Sequence, residues 1–135
     1  MEVDLREAQE RPFTIITDLR RPKAERIAAA FALELIATDE AVEALARCLF
    51  ADPSPIVRHE AAFSLGETAN RKAVDHLLKA MFTDRDIFVR HEAAMALGTL
   101  GDERARPYLE RLRNDPAAAM RESIEIALER LGGRD

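Results

Sequence analysis

Two short strings in this sequence carry groups that could do chemistry together, His59-Glu60 and His91-Glu92. They sit 32 positions apart inside one hexapeptide, with Val57-Arg58-His59-Glu60-Ala61-Ala62 lying over Val89-Arg90-His91-Glu92-Ala93-Ala94. If each string begins a helix and the two helices pack at about 8–10 Å, equivalent residues point side by side. Two imidazoles and a carboxylate converging from neighbouring helices form the set that suits non-haem iron with open coordination positions. Zinc accepts similar ligands, while magnesium and calcium call for more oxygen. The free N–H groups at such helix starts also favour nearby negative charge, from a carboxylate or a bound anion.

A single His-Glu pair at a helix start is usually a solvated pair near the helix dipole. A recent duplication would also copy such a pair without any role. Against duplication, the two copies differ at Phe63/Met95, Ser64/Ala96, Glu67/Thr99 and Asn70/Asp102, while the hexapeptide is unbroken. Other catalytic classes find no support. The sequence has no glycine-rich phosphate loop and no Gly-x-Ser-x-Gly elbow. Ala61, Ala62 and Phe63 follow Glu60, so there is no His-Glu-x-x-His zinc helix either. His76, beside Asp75, stands alone and is expected to be exposed without a role. Met81, Met95, Met120 and Tyr108 read as packing or rim residues.

The elements that must position these groups are helices. The chain has 135 residues, one ordinary domain's worth, and is 33% charged, with only 5 Gly and no Trp. Aromatics make up 5%, which is the composition of packed helices rather than of sheets. A net charge of −5, with acids and bases interspersed, argues against a nucleic-acid footprint. Arg20, Arg21, Lys23 and Arg26 form a small basic cluster that reads as a solvated helix end. Cys48 is the only cysteine and lies on an apolar stripe with Leu45 and Leu49, so it reads as a small buried hydrophobe. No apolar run approaches membrane-spanning length, and the acidic start Met1-Glu2-Val3-Asp4 does not resemble a signal peptide. Cytoplasmic residence is the expectation.

The repeat extends well beyond the hexapeptide. Leu65-Gly66 lies over Leu97-Gly98, Asp52 over Asp84, and Ala41-Val42 over Ala73-Val74. With one residue dropped, Met120-Arg121 falls over Val89-Arg90. Each unit reads as two helices. The first follows Asp52-Pro53-Ser54-Pro55 or Thr83-Asp84-Arg85-Asp86, where Ser or Asp can cap free N–H groups. Val57, Ala61 and Leu65 form its buried stripe, and alanines allow close helix approach. The second helix turns Val74, Leu77, Leu78 and Met81 inward, and Pro107 suits a first helical turn. The pattern predicts one all-α domain over 1–135, a solenoid of about three to four repeats of antiparallel helix pairs. The pairs fall at 22–52, 54–83 and 86–115, with a closing helix at 117–131 and a capping helix at 12–20. Residues 1–10 are expected to fray. Arg58 and Arg90 are expected to pair with acids such as Asp52 or Asp84 between repeats.

The string Val-Arg-His-Glu-Ala-Ala followed by Leu-Gly, twice at one-repeat spacing, resembles deoxyhypusine hydroxylase and, more broadly, the bilin-lyase-type HEAT-like repeats. The likeness covers roughly 22–133, one half of such an enzyme. It implies a HEAT-like α-solenoid and a di-iron centre facing two His-Glu motifs from each half. Carried over by position, His59, His91 and Glu92 would be iron ligands, and Glu60 would be a ligand or lie beside the metals with a catalytic role. The sequence departs from the pattern at Ile27-Ala28 in the first repeat and Glu122-Ser123 in the last. With two pairs per chain, a complete site needs a second copy, which an isologous homodimer would supply. The expectation is therefore an iron-dependent oxygenase or hydroxylase working as a homodimer, with another divalent metal as a variant. Its substrate would be a protein or an amine-bearing molecule. The alternative is a non-catalytic scaffold that binds a protein partner, and a third reading is a protein that binds metal or O₂ without hydroxylating anything.

Overall fold

The computed structural model describes residues 5–132, with side chains from residue 10 onward. Eight α-helices follow one another among the described residues: α1 Leu5–Ile15, α2 Lys23–Ile36, α3 Asp39–Ala51, α4 Pro55–Glu67, α5 Val74–Thr83, α6 Ile87–Leu100, α7 Arg106–Arg111 and α8 Ala118–Gly132. Short 3-10 turns at Arg71–Ala73 and Glu103–Ala105 lead into α5 and α7. The fold is all-helical, with α2/α3, α4/α5 and α6/α7 as successive pairs.

Local sequence explains the boundaries. Ser54 accepts a hydrogen bond from the Val57 amide, and Pro55 opens α4, where its missing N–H costs nothing. Asp86 does the same for α6 through the amides of Phe88 and Val89. Pro107 stands at the start of α7. The chain leaves these first helices through a left-handed residue that recurs once per repeat, Ala37 (φ 56°), Ala69 (φ 56°) and Gly101 (φ 67°). Only the last is glycine, the residue that adopts this conformation without a Cβ clash.

The first helices α2, α4, α6 and α8 lie side by side in one layer. α3 packs mainly on α4, α5 on α6 and α7 on α8. Val57, Ala61 and Leu65 of α4 are fully buried, as are Val89, Ala93 and Leu97 of α6. Val74, Leu77, Leu78 and Met81 close the core from the second layer, with Met120 and Ile124 sealing the α8 end. Cys48 is buried, and burial pushes its thiol up to about 12.

Two glycines set the spacing of the first-helix layer. A Cβ on Gly66 would stand 2.6 Å from the Ala96 Cβ, and one on Gly98 would stand 2.9 Å from the Ala127 Cα. α4, α6 and α8 can therefore approach backbone to backbone. In α2 the corresponding position is Glu34, opposite Ser64 rather than alanine.

Several expectations need correction. Instead of a capping helix over 12–20, α1 covers Leu5–Ile15 with Pro12 inside it. It ends because Asp18 starts a tight turn, accepting from the Arg20 amide while Arg21 N–H donates to the Asp18 carbonyl. Part of the stretch expected to fray, residues 5–10, is thus helical, and residues 1–4 lie outside the described residues. The second helix of the third pair stops at Arg111 rather than 115. His76 is neither exposed nor alone: it is half-buried, and its Nε2 lies 3.0 Å from Glu43 Oε1 on α3.

Candidate functional site

A buried ion-pair ladder holds the first helices at fixed heights. Arg26, Arg58 and Arg90 are equivalent residues on α2, α4 and α6, and each reaches an aspartate that follows the second helix of its own repeat. The rungs are Arg26 Nε to Asp52 Oδ2 at 2.8 Å, Arg58 Nε to Asp84 Oδ2 at 3.1 Å and Arg90 Nη2 to Asp115 Oδ2 at 3.0 Å. Arg58 also donates to the Asp52 carbonyl, tying its repeat to the one before. Each aspartate accepts from the backbone two residues on, at Ser54, Asp86 and Ala117. Charge-assisted bonds of this kind are strong only when every lone pair is met, and here each guanidinium has at least two partners. Arg26 is therefore 5% exposed and part of the ladder rather than a solvated helix end. A shift of 32 from Arg58 points to it in the sequence.

With the helices fixed in register, the His-Glu positions of one repeat meet those of the next. His59 lies between two carboxylates: its Nε2 is 3.3 Å from Glu92 Oε2 on α6, and its Nδ1 is 3.7 Å from Glu60 Oε1. The contact with Glu92 is the main reason its pKa is raised. Glu60 adds to the rise, and partial burial works against it. The corresponding contact one repeat on is different. His91 Nδ1 is hydrogen-bonded to Ser123 Oγ of α8, and Ser123 occupies the position held by Glu92 in α6.

His91 and Glu92 line a cleft of about 220 Å³ together with Phe63, Glu67 and Arg130. Next to His59, the exposed Ile56 and Phe88 flank a second, apolar hollow. The structure thus brings His59, Glu60 and Glu92 into one group and turns His91 toward Ser123. Among the described residues, no three His, Cys, Asp or Glu side chains stand close enough to hold a metal ion. The donor chemistry suits a divalent transition metal, but the donors of one chain do not close around a point.

Two further residues of this face gain a contact role only in the structure: Ser123, which the sequence shows only as a departure from the pattern, and Glu34. Ser123 could be found only by pairing each histidine with the glutamate position of the following repeat. Glu34 Oε1 is buried without a partner, as is Ser64 Oγ. Burial raises the Glu34 carboxyl, the neighbouring Ser64 hydroxyl works in the opposite direction, and the charges of Glu67 and Glu60 add to the rise. No helix among the described residues is long and apolar enough to cross a membrane.

Comparisons with known proteins agree with this architecture. The HEAT repeats family matches residues 44–129, and the PBS lyase HEAT-like repeat matches residues 25–50. No curated protein matches the chain by sequence. Among solved structures, human deoxyhypusine hydroxylase in complex with glycerol superposes with a TM-score of 0.86 at 34% identity. That match covers 93% of this chain and 43% of the hydroxylase. The complex of CpcE and CpcF of phycocyanin lyase from Nostoc gives a TM-score of 0.74 at 28% identity, covering 93% of this chain and 53% of that one. An engineered protein, 22% identical with a TM-score of 0.64, shares the fold. The chain spans about half the length of the hydroxylase and lyase chains it matches.

Proposed function

The chain belongs to the HEAT-repeat family, and on that premise we propose that it is a metal-binding member of the hydroxylase-like kind whose site is completed by a second copy. The observation that carries this reading is the grouping of His59, Glu60 and Glu92 across α4 and α6, with His91 beside them on the same layer. Imidazole and carboxylate in this mixture suit iron and, less selectively, zinc. His59, His91 and Glu92 would be ligands, with Glu60 a ligand or a group acting on the substrate beside the metals. An isologous dimer would set the same four groups opposite themselves and close the coordination that one chain leaves open. Ferrous iron held there would supply the electrons for O₂ reduction and hydroxylation of a C–H bond.

This chain's own residues would then have distinct tasks. The ladder and the Gly66 and Gly98 contacts keep the ligand-bearing helices at fixed spacing, a requirement for any preorganised site. Glu60 and Glu67 make the face acidic, which suits a cationic amine substrate or a protein presenting one. Phe63, Ile56 and Phe88 offer apolar contact at its edge.

The test is metal content and assembly state, measured together on protein purified without a metal-binding tag. Iron at about one per chain in a dimer supports the proposal, because a two-metal site needs two per dimer. His91→Ala or His59→Ala should abolish iron uptake with helix content unchanged. Full iron retention by His91→Ala would sink the assignment.

A non-catalytic scaffold is the second reading. It is favoured by the likeness to a lyase complex built from two different chains and by the open donor set of one chain. It predicts a metal-free protein that fails to take up Fe(II) anaerobically.

A further inference from the structure

Resting on the metal-binding reading above, we propose that Ser123 is a positioning residue that fixes the tautomer of His91 and so leaves its Nε2 lone pair free for a metal. The argument is one of proton counting. Ser123 has one hydroxyl proton, and its Oγ lies 2.6 Å from the Ala119 carbonyl one turn back in α8. A carbonyl oxygen can only accept, so that proton is committed to it. Ser123 Oγ is then left with lone pairs alone and can only accept from its other partner, which is His91 Nδ1. In the uncharged ring the proton must therefore sit on Nδ1, and Nε2 is left as an acceptor. A metal-ligating histidine needs one nitrogen bare and the other held by an outer partner, usually a carboxylate, a backbone carbonyl or water. Here a buried serine, 0% exposed, performs that task.

The same position explains why the two histidines differ. His59 meets Glu92 across the α4–α6 contact, whereas His91 meets Ser123 across the α6–α8 contact. A carboxylate at 123 would also accept from Nδ1, but it would set a further negative charge against the ring. Serine supplies an acceptor without the charge. Arg121, two residues earlier on α8, donates to the Asp115 and Pro116 carbonyls and stays clear of the ring.

The experiment is long-range ¹⁵N–¹H correlation of the histidine rings in the metal-free, full-length protein above the histidine titration, followed by Fe(II) titration of the same samples. The expected spectrum has His91 Nδ1 protonated and Nε2 in the unprotonated range. Ser123→Ala should release the ring to the Nε2-protonated form that predominates in water, and Ser123→Thr, which keeps the hydroxyl, should restore the native pattern. Iron affinity should fall about 10–100-fold in Ser123→Ala, as for other outer partners of ligating histidines, and recover in Ser123→Thr. A wild-type spectrum with the proton on Nε2 overturns the inference whatever the metal data say. Native Nδ1 protonation in a protein that binds no metal would leave the Ser123–His91 lock standing and remove the metal reading instead. An unchanged His91 pattern in a folded Ser123→Ala variant also overturns the inference.

Discussion

The two faces of the first helices follow opposite rules. On one face, Arg26–Asp52, Arg58–Asp84 and Arg90–Asp115 repeat the same residue pairing three times, twofold in the first two rungs and through Nη2 alone in the third. On the other, the equivalent positions read Ile27-Ala28, His59-Glu60, His91-Glu92 and Glu122-Ser123, and no two successive contacts are alike. A contact that every repeat needs in order to stack stays uniform, because removing one partner anywhere leaves a buried charge. A contact that serves one place in the molecule is free to vary from repeat to repeat.

The largest expected effect comes from breaking the uniform face. Arg58→Ala strands the Asp84 carboxylate and the Asp52 carbonyl, and should destabilise the fold by about 3–5 kcal/mol in urea denaturation. A loss below about 1 kcal/mol would mean that the ladder is solvated and is not what holds the register.

Gly66→Ala tests the spacing that both faces share. The added methyl meets Ala96 at 2.6 Å, so α4 and α6 must part, at about 1–3 kcal/mol. The pairing of His59 with Glu92 should weaken in the same variant, visible as a downward move of the His59 titration by NMR. Unchanged titration would uncouple the two faces.

A smaller contrast sits at the helix exits. Ala69→Gly should stabilise the protein by about 1 kcal/mol by relieving a left-handed alanine, and Gly101→Ala should lose a similar amount. Equal thermal midpoints for all three proteins would show that these turns relax freely.

The smallest effect concerns the variable face in metal-free protein. The pKa of His59 is raised in the fold, so its pairing stabilises fully below the unfolded value of about 6.5 and that stabilisation is lost as pH rises through the folded value. His59→Ala should cost about 0–1 kcal/mol near pH 6, because the ring is partly exposed. Toward pH 8.5 the difference from wild type should close. A constant difference across that range would assign the effect to packing instead of charge.

Much of this was legible in the chain. The 32-residue period, the helix pairs, the buried stripe Val57-Ala61-Leu65 and the Ser54 and Asp86 caps all follow from spacing and side-chain chemistry, and so does an acidic partner for Arg58 and Arg90. The structure places those partners, Asp84 and Asp115, within the same repeat rather than between repeats. Proline favours a first helical turn, which points to a helix opening at Pro12, yet Pro12 lies within α1. Arg26 is hidden in the sequence, since four basic residues in a short stretch resemble a solvated end and its partner Asp52 lies 26 positions away.

The sequence by itself determined that successive first helices carry a His-Glu pair at the same height, because the repeat period and the apolar stripe leave those positions no other place. It also placed alanines on the buried stripe, whereas the close contacts at Gly66 and Gly98 emerge only from the packing. Only the tertiary structure decided which group each histidine meets: Glu92 for His59 and Ser123 for His91. The reason is geometric. A side chain on one helix reaches the next helix at an offset set by axial register and interhelix spacing, and both are fixed by the ladder and by Gly66 and Gly98 acting together across repeats.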